Sequence, residues 1–271
     1  MTPRTPRPPR TPHDSGRAEP GTTVLEAKSV VVRAGKKTLV DGVDLEVRAG
    51  EVLGLIGPNG AGKSTLLSAM AGDRPPASGG IELFGKPYSA FTPRKAARLR
   101  AVMLQDPTVS FAHLVRDVVA MGRAAWRLRD PAKDGEIIDR CLAEVDMAGM
   151  AEREITTLSG GERARVALAR VLAQTAQCVM LDEPTAAMDI GHSERTMHTV
   201  RRVAADGAGV VVVLHDLGTA AKYCDRLALL HEGRIFAVGT PEEVCTEGTL
   251  SHVYGWPISV SRHPQATQGP A

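Results

Sequence analysis

GPNGAGKST, residues 57–65, places Gly57, Gly60 and Gly62 directly after the apolar run 52–56 and ends in Lys63-Ser64-Thr65. Glycine loses more conformational freedom on folding than any other residue, so this density of glycine needs a reason. One reason is a tight turn between a strand and a helix. The other is a phosphate cradle. Gly57, Gly62, Lys63 and Ser64 meet the pattern G-x-x-x-x-G-K-[ST], in which backbone N–H groups turn inward on an anion. The lysine then reaches the outer phosphates and the serine hydroxyl binds Mg²⁺. The flanks favour the cradle. A strand-like run precedes it, and Leu66, Leu67, Ala69 and Met70 follow at helical spacing, which aims a helix N-terminus at the phosphates. Alone, the motif indicates a bound nucleoside triphosphate and no particular chemistry.

The remaining chain has the texture of an α/β protein. Apolar residues make up 43% and aromatics only 3%, so the core is built from Val, Leu, Ala and Ile, as suits buried parallel strands. The net charge of +2 leaves no electrostatic footprint for a nucleic acid, and the excess sits in residues 1–22, where four arginines face two acids. Cysteines 141, 178, 224 and 245 form no C-x-x-C pair, which indicates neither a zinc site nor a disulfide framework and suits a reducing cytosol. No run approaches the ~18 apolar residues of a membrane span. The N-terminus lacks the apolar segment of a secretory signal. Work at a membrane would need a partner to hold the chain there.

Residues 1–22, with TPRTPRPPRTP at 2–12, read as a disordered, dispensable leader, residues 23–260 as the folded domain and residues 261–271 as a flexible tail. Residues 24–34 and 43–48 alternate as edge strands do, 52–56 form a buried strand, and 81–84 and 101–104 are short strands, the last leading to Gln105. A helical insertion, about 106–160, carries Val115, Val118, Val119, Ile137, Ile138, Cys141, Leu142 and Val145 at helical spacing. Core texture resumes at CVMLDEP (178–184), VVVVLHD (210–216) and RLALLHEGRI (226–235). Strands alternating with helix-length segments imply a parallel sheet covered on both faces.

Two further stretches carry chemistry. Asp182 and Glu183 end an apolar strand, where ligands bind in parallel sheets, and strand alternation would point them to opposite sides. One could hold Mg²⁺ and the other the attacking water, or both could cap the next helix. LSGGE (158–162) gives Ser159 and Glu162 the spacing of a capping box before a helical run. Gly160 and Gly161 weaken such a helix start unless the backbone must approach something, and an anion at a helix N-terminus fits.

Taken in order, the glycine loop, Gln105, LSGGE, the Asp182-Glu183 pair, Asp189 and His215 resemble the ATP-binding subunits of ABC transporters, over about residues 24–260. The resemblance implies a P-loop cassette: a RecA-like parallel-sheet core, an antiparallel β edge and an inserted helical subdomain. It implies an ATPase with ATP and Mg²⁺ as cofactors. Gly57, Pro58, Asn59, Gly60, Ala61, Gly62, Lys63, Ser64 and Thr65 would hold the phosphates, with Ser64, Gln105 and Asp182 at Mg²⁺. Glu183 would polarise the water and His215 would sense the γ-phosphate. Ser159, Gly160 and Gly161 would complete the site of a second cassette in a homodimer, with Asp189 at the symmetry axis. Permease subunits spanning the membrane, a substrate-binding protein acting through them, and a place on the cytoplasmic face of the cell membrane are implied as partners and location. DVVAMGRAAW (117–126), VYGWPISVSRHP (253–264) and LARVLAQ (168–174) resemble the ATPases of iron–siderophore, haem and cobalamin importers, the haem members most. A soluble ATPase of iron–sulfur cluster assembly and the ATPase half of an exporter share the core motifs and are the alternatives.

Two positions depart from the family pattern. Ala186-Ala187-Met188-Asp189 keeps the acid of its loop but loses a hydroxyl, and Arg33-Ala34 stands where an aromatic usually stacks on adenine. A guanidinium plane can stack, but with little base selectivity. GTP hydrolysis is therefore expected within about tenfold of ATP hydrolysis, a difference of ~1.4 kcal/mol. A steady-state comparison of the two nucleotides checks this; an ATP preference above about a hundredfold would mean that another side chain grips adenine.

Overall fold

The computed structural model describes residues 18–104, 112–126 and 130–260. β1 (Thr23–Ala34) and β2 (Lys37–Arg48) form an antiparallel hairpin. β3 (Val52–Ile56), buried at every position, runs into the glycine loop and α1 (Lys63–Met70). β4 (Ser78–Leu83) pairs with β1 and with β5 (Lys86–Pro87), completing an antiparallel sheet of order β2-β1-β4-β5. α2 (Pro93–Leu99), capped by Thr92 with Pro93 in its first turn, leads to β6 (Arg100–Met103). The described part of the helical insertion holds α3 (Val115–Ala120), a 3-10 segment over Met121–Trp126, and α4 (Pro131–Glu144). α5 (Gly160–Ala173) returns the chain to β7 (Cys178–Asp182). α6 (Ile190–Ala205), β8 (Gly209–Val213), α7 (Leu217–Tyr223) and β9 (Arg226–His231) follow in strict alternation. β10 (Arg234–Gly239) doubles back on β9, and α8 (Pro241–Val244) and α9 (Glu247–Tyr254) close the described chain.

The second sheet has the order β10-β9-β3-β8-β7-β6 and is parallel except for β10. Its central strands β3, β7 and β8 are buried at every position because both faces are covered. Leu53, Leu55, Met180, Val211 and Val213 face a core shared with the antiparallel sheet. Val52, Ile56, Leu181, Val210 and Val212 face a second core shared with the helices. Register decides what this scaffold can present. Leu55 pairs with Val213, Val213 with Asp182, and Leu181 with Met103. The glycine loop, the two acids, His215 and the chain leading to residue 105 therefore leave one edge of the sheet, at the carboxyl ends of its strands, where α/β sheets bind ligands.

The architecture agrees with the expected cassette, and two details differ from the sequence reading. RLALLHEGRI is two strands, not one: Glu232 and Gly233 both adopt positive φ (48° and 80°), which makes the two-residue turn a tight hairpin requires. Val115, Val118 and Val119 are fully buried core of the insertion, whereas Met121 and Leu104 are exposed. Gln105, the rest of 105–111, residues 127–129 and the tail 261–271 lie outside the described residues.

The second difference concerns the leader, which ends sooner than its composition suggests. The Ala18 N–H donates to the Gln177 side chain (3.1 Å), and the Gly21 N–H and Thr22 carbonyl bracket Ala49 at 2.9 and 2.8 Å. Residues 18–22 thus extend the edge of the domain, although none of them is strongly apolar. A chain starting at Ala18 is expected to melt with the full-length protein, and one starting at Thr23 a few degrees lower, since ~1 kcal/mol moves the midpoint by ~2–4 °C at this size. Differential scanning calorimetry checks this; equal midpoints for both truncations would show that these bonds contribute nothing.

Candidate functional site

The glycines of the loop answer to different neighbours. Gly57 has φ 141°, and a Cβ there would lie 2.1 Å from the Leu230 carbonyl oxygen of β9. Gly62 has φ 103°, and its Cβ would lie 2.6 Å from the Leu39 carbonyl oxygen of β2. The loop is thereby wedged between the two sheets, with Asn59 and Gly60 exposed at its tip. Ala61 ties it further: its N–H donates to the Pro58 carbonyl (3.2 Å) and its carbonyl accepts from Gly233 N–H (3.0 Å). Lys63 is only 5% exposed and its ammonium donates to the Gly57 and Pro58 carbonyls, at 2.7 and 2.9 Å. Burial holds its pKa below the usual lysine value, opposed by Glu183 and Asp182. Thr65 is half-buried in the first turn of α1.

The Ser64 hydroxyl donates to Asp182 Oδ1 at 3.2 Å, joining the start of α1 to the end of β7. Asp182 is 4% exposed, and burial raises its pKa above the usual carboxylate value; Ser64 opposes this and Glu183 adds to it. A buried carboxylate against a hydroxyl offers hard oxygen donors of the kind that suit Mg²⁺. Glu183 does not continue the strand alternation. It adopts φ 52°, outside the ordinary range for a side-chain-bearing residue, and its N–H still reaches the Val213 carbonyl at 3.3 Å. The left-handed step keeps Glu183 on the site instead of turning it away, and its Oε1 is hydrogen-bonded to His215 Nε2. Such strain persists only where the surroundings over-determine it.

Ser159 caps α5 in a full capping box: its Oγ accepts from Glu162 N–H (3.3 Å) while Glu162 Oε2 accepts from Ser159 N–H (2.7 Å). These bonds hold the Glu162 carboxyl below its usual pKa. The two glycines have separate reasons. A Cβ on Gly161 would lie 2.9 Å from the Ala187 carbonyl oxygen of the same chain, so part of the close approach inferred from sequence is internal. Gly160 is exposed and meets only the Ala187 methyl, at an ordinary 3.7 Å. Asp189 caps α6 through His192 N–H (2.8 Å) and contacts His192 Nδ1 at 2.9 Å. Arg33 and Ala34 end β1 opposite Thr38 and Lys37, both of them exposed.

The structure therefore gathers Gly57–Thr65, Asp182, Glu183 and His215 at one edge. Among the described residues no hydrogen bond or ion pair joins Ser159–Gly161 to that loop. The carbonyls of Leu230 and Leu39 were invisible to motif reading, because backbone atoms leave no residue signature.

Comparison with known proteins agrees with the geometry. The ABC transporter family matches over residues 40–186. The hemin import ATP-binding protein HmuV of Streptomyces coelicolor is 51% identical over 249 residues, 92% of this chain and 89% of the relative. The protein of the same name from Pseudomonas aeruginosa is 43% identical over 247 residues, 89% and 96% of the two chains. Among solved structures, the ATP-binding subunit of an ABC transporter superposes with a TM-score of 0.76 at 24% identity, over 88% of this chain and 95% of that one. The chain belongs to the ABC transporter family, as an ATP-binding subunit that couples ATP hydrolysis to transport.

Proposed function

We propose that two copies of this chain close head to tail over two MgATP and drive the import of haem through a membrane permease. One observation carries the dimer. The loop, the acids and His215 converge at one sheet edge, while among the described residues no hydrogen bond or ion pair joins the exposed Ser159-Gly160 helix start to the glycine loop of its own chain. A helix N-terminus favours an anion, so a second chain's γ-phosphate is its natural occupant.

Within each site, Lys63 exchanges the Gly57 and Pro58 carbonyls for the β- and γ-phosphates, and the amides of residues 60–65 line the rest of the cradle. Ser64, Asp182 and Gln105 hold Mg²⁺, which neutralises phosphate charge. Glu183 orients the attacking water and accepts its proton. His215, hydrogen-bonded to Glu183, lies where it could turn to a γ-phosphate and so leave the carboxylate to the water. Asp189, beside the Ala187 contact with Gly161, meets its symmetry mate and couples the two sites. Loss of the γ-phosphate removes the Ser159–Gly161 contacts and opens the dimer, an order–disorder and rigid-body switch.

No described helix is long and apolar enough to cross a membrane. The chain works on the cytoplasmic face, held by a permease that receives its cargo from a substrate-binding protein. Exposed Leu104, just before the segment 105–111, and exposed Met121, just after α3, offer apolar contacts for a short permease helix. Haem as cargo is supported by relatives named for hemin import at 39–51% identity.

Glu183→Gln is expected to bind ATP normally and to hydrolyse it ~10²–10⁴-fold more slowly, the usual effect of losing a general base. Lys63→Ala is expected to lose nucleotide binding itself. Equilibrium binding and single-turnover hydrolysis separate the two; Glu183→Gln within threefold of the parent rate would overturn the assignment. A strain lacking the gene is expected to grow poorly on haem as sole iron source, to grow normally on ample ferrous salt, and not to be rescued by Lys63→Ala. Normal growth on haem with a defect in another metal or a drug would remove the cargo and leave the ATPase.

A further inference from the structure

The Gly122-Arg123 pair of DVVAMGRAAW has no part in the nucleotide site, yet the structure builds a great deal on it. A Cβ on Gly122 would lie 2.2 Å from the Arg170 carbonyl oxygen, so the 3-10 segment lies directly against the backbone of α5. Arg123 is 6% exposed. Its Nε donates to Asp134 Oδ1 (2.7 Å), and its Nη1 donates to the Ala173 carbonyl (2.8 Å) and the Thr175 hydroxyl (3.1 Å). Asp134, in the first turn of α4, is 4% exposed. A charge pair this deep costs desolvation that the pair alone rarely recovers, so geometry rather than stability is the reason to keep it. The planar fork of Arg, unlike Lys, satisfies three acceptors in fixed directions.

The same end of α5 is tied to the core. Trp126 Nε1 donates to the Gln174 carbonyl (2.9 Å), and Arg98 of α2 lies over the Trp126 ring at 4.9 Å. Gln174 Nε2 donates to the carbonyls of Ala97 and Arg100, the latter at 2.6 Å. The Nε groups of Arg94 and Arg98 both donate to the Ala125 carbonyl, at 2.8 and 2.9 Å. The C-terminus of α5 is thus a knot of α2, β6, the 3-10 segment and α4. Its N-terminus, 14 residues away and so ~20 Å along the axis, carries exposed Ser159 and Gly160.

We propose that Arg123 is a positioning residue for the partner's nucleotide site: with Trp126 and Gln174 it fixes the C-terminal end of α5 as a pivot and so sets where Ser159–Gly161 meet the γ-phosphate. The inference rests on the head-to-tail dimer proposed above. A small angular error at the pivot becomes an error of ångströms over the length of the helix, while the chain's own loop, on β3 and α1, is untouched.

The test uses the full chain. Arg123→Lys, which keeps the charge and loses the fork, is expected to bind MgATP within twofold of the parent and to lose at least tenfold in kcat. Mixed with Lys63→Ala, whose Ser159 end is intact, Arg123→Lys should regain activity, because the mixed dimer holds one complete site. A Ser159→Arg chain mixed with Lys63→Ala is the control for the dimer. Control rescue without Arg123→Lys rescue overturns the inference alone; no rescue in either mixture overturns the dimer and the inference with it. A kcat within twofold of the parent also overturns the inference. If Arg123→Lys does not fold, Trp126→Phe, which removes the indole N–H and shortens the ring while keeping an aromatic face for Arg98, carries the same expectations.

Discussion

The backbone at Gly57 has no room for a side chain, because the Leu230 carbonyl of β9 occupies that space. Most of the architecture follows from this contact and its counterpart between Gly62 and Leu39. The loop can hold an anion only if its amides are fixed before the anion arrives, since ordering them on binding would consume affinity. Both sheets are needed for that: β9 of the parallel sheet supplies one wall and β2 of the antiparallel sheet the other. The antiparallel sheet is therefore part of the site, although none of its side chains is expected to touch phosphate.

A second dependence is electrostatic. Lys63, Asp182 and Ser64 are brought together at the end of the loop, and burial of the two charged groups pushes the lysine down and the aspartate up in pKa. In the function proposed above, phosphates would give the lysine anions and a metal ion would give the carboxylate a cation. Glu183 adds backbone strain of its own at φ 52°, in contact with His215. Glu183 and His215 are thereby held on one another at the edge of the sheet.

Much of this was legible in the residues. The strand–loop–helix around GPNGAGKST, the apolar strand ending in Asp182-Glu183 and the capping box at Ser159 each have a local signature, and each stands where the spacing put it. What escaped had none. The direction of Glu183 depends on a φ that strand alternation does not predict. The order of residues 18–22 depends on hydrogen bonds to Ala49 and Gln177, not on apolar burial. The turn at Glu232-Gly233 lay inside what read as a single run. The Gly122-Arg123 pair resembled a family marker, and only the packing on Arg170 and the bond to Asp134 gave it a physical reason.

The central claim is that one functional site is made from the glycine loop of one chain and the Ser159 end of α5 of another. Cysteines placed at Asn59 and Gly160, both exposed, in a Glu183→Gln chain test it directly, because Cys141, Cys178 and Cys224 are buried and Cys245 is half-buried. The readout is the covalent dimer on a non-reducing gel after mild oxidation. The account predicts a dimer that forms with MgATP, needs both cysteines and is absent without nucleotide. No cross-link with MgATP, or one indifferent to nucleotide, would contradict it.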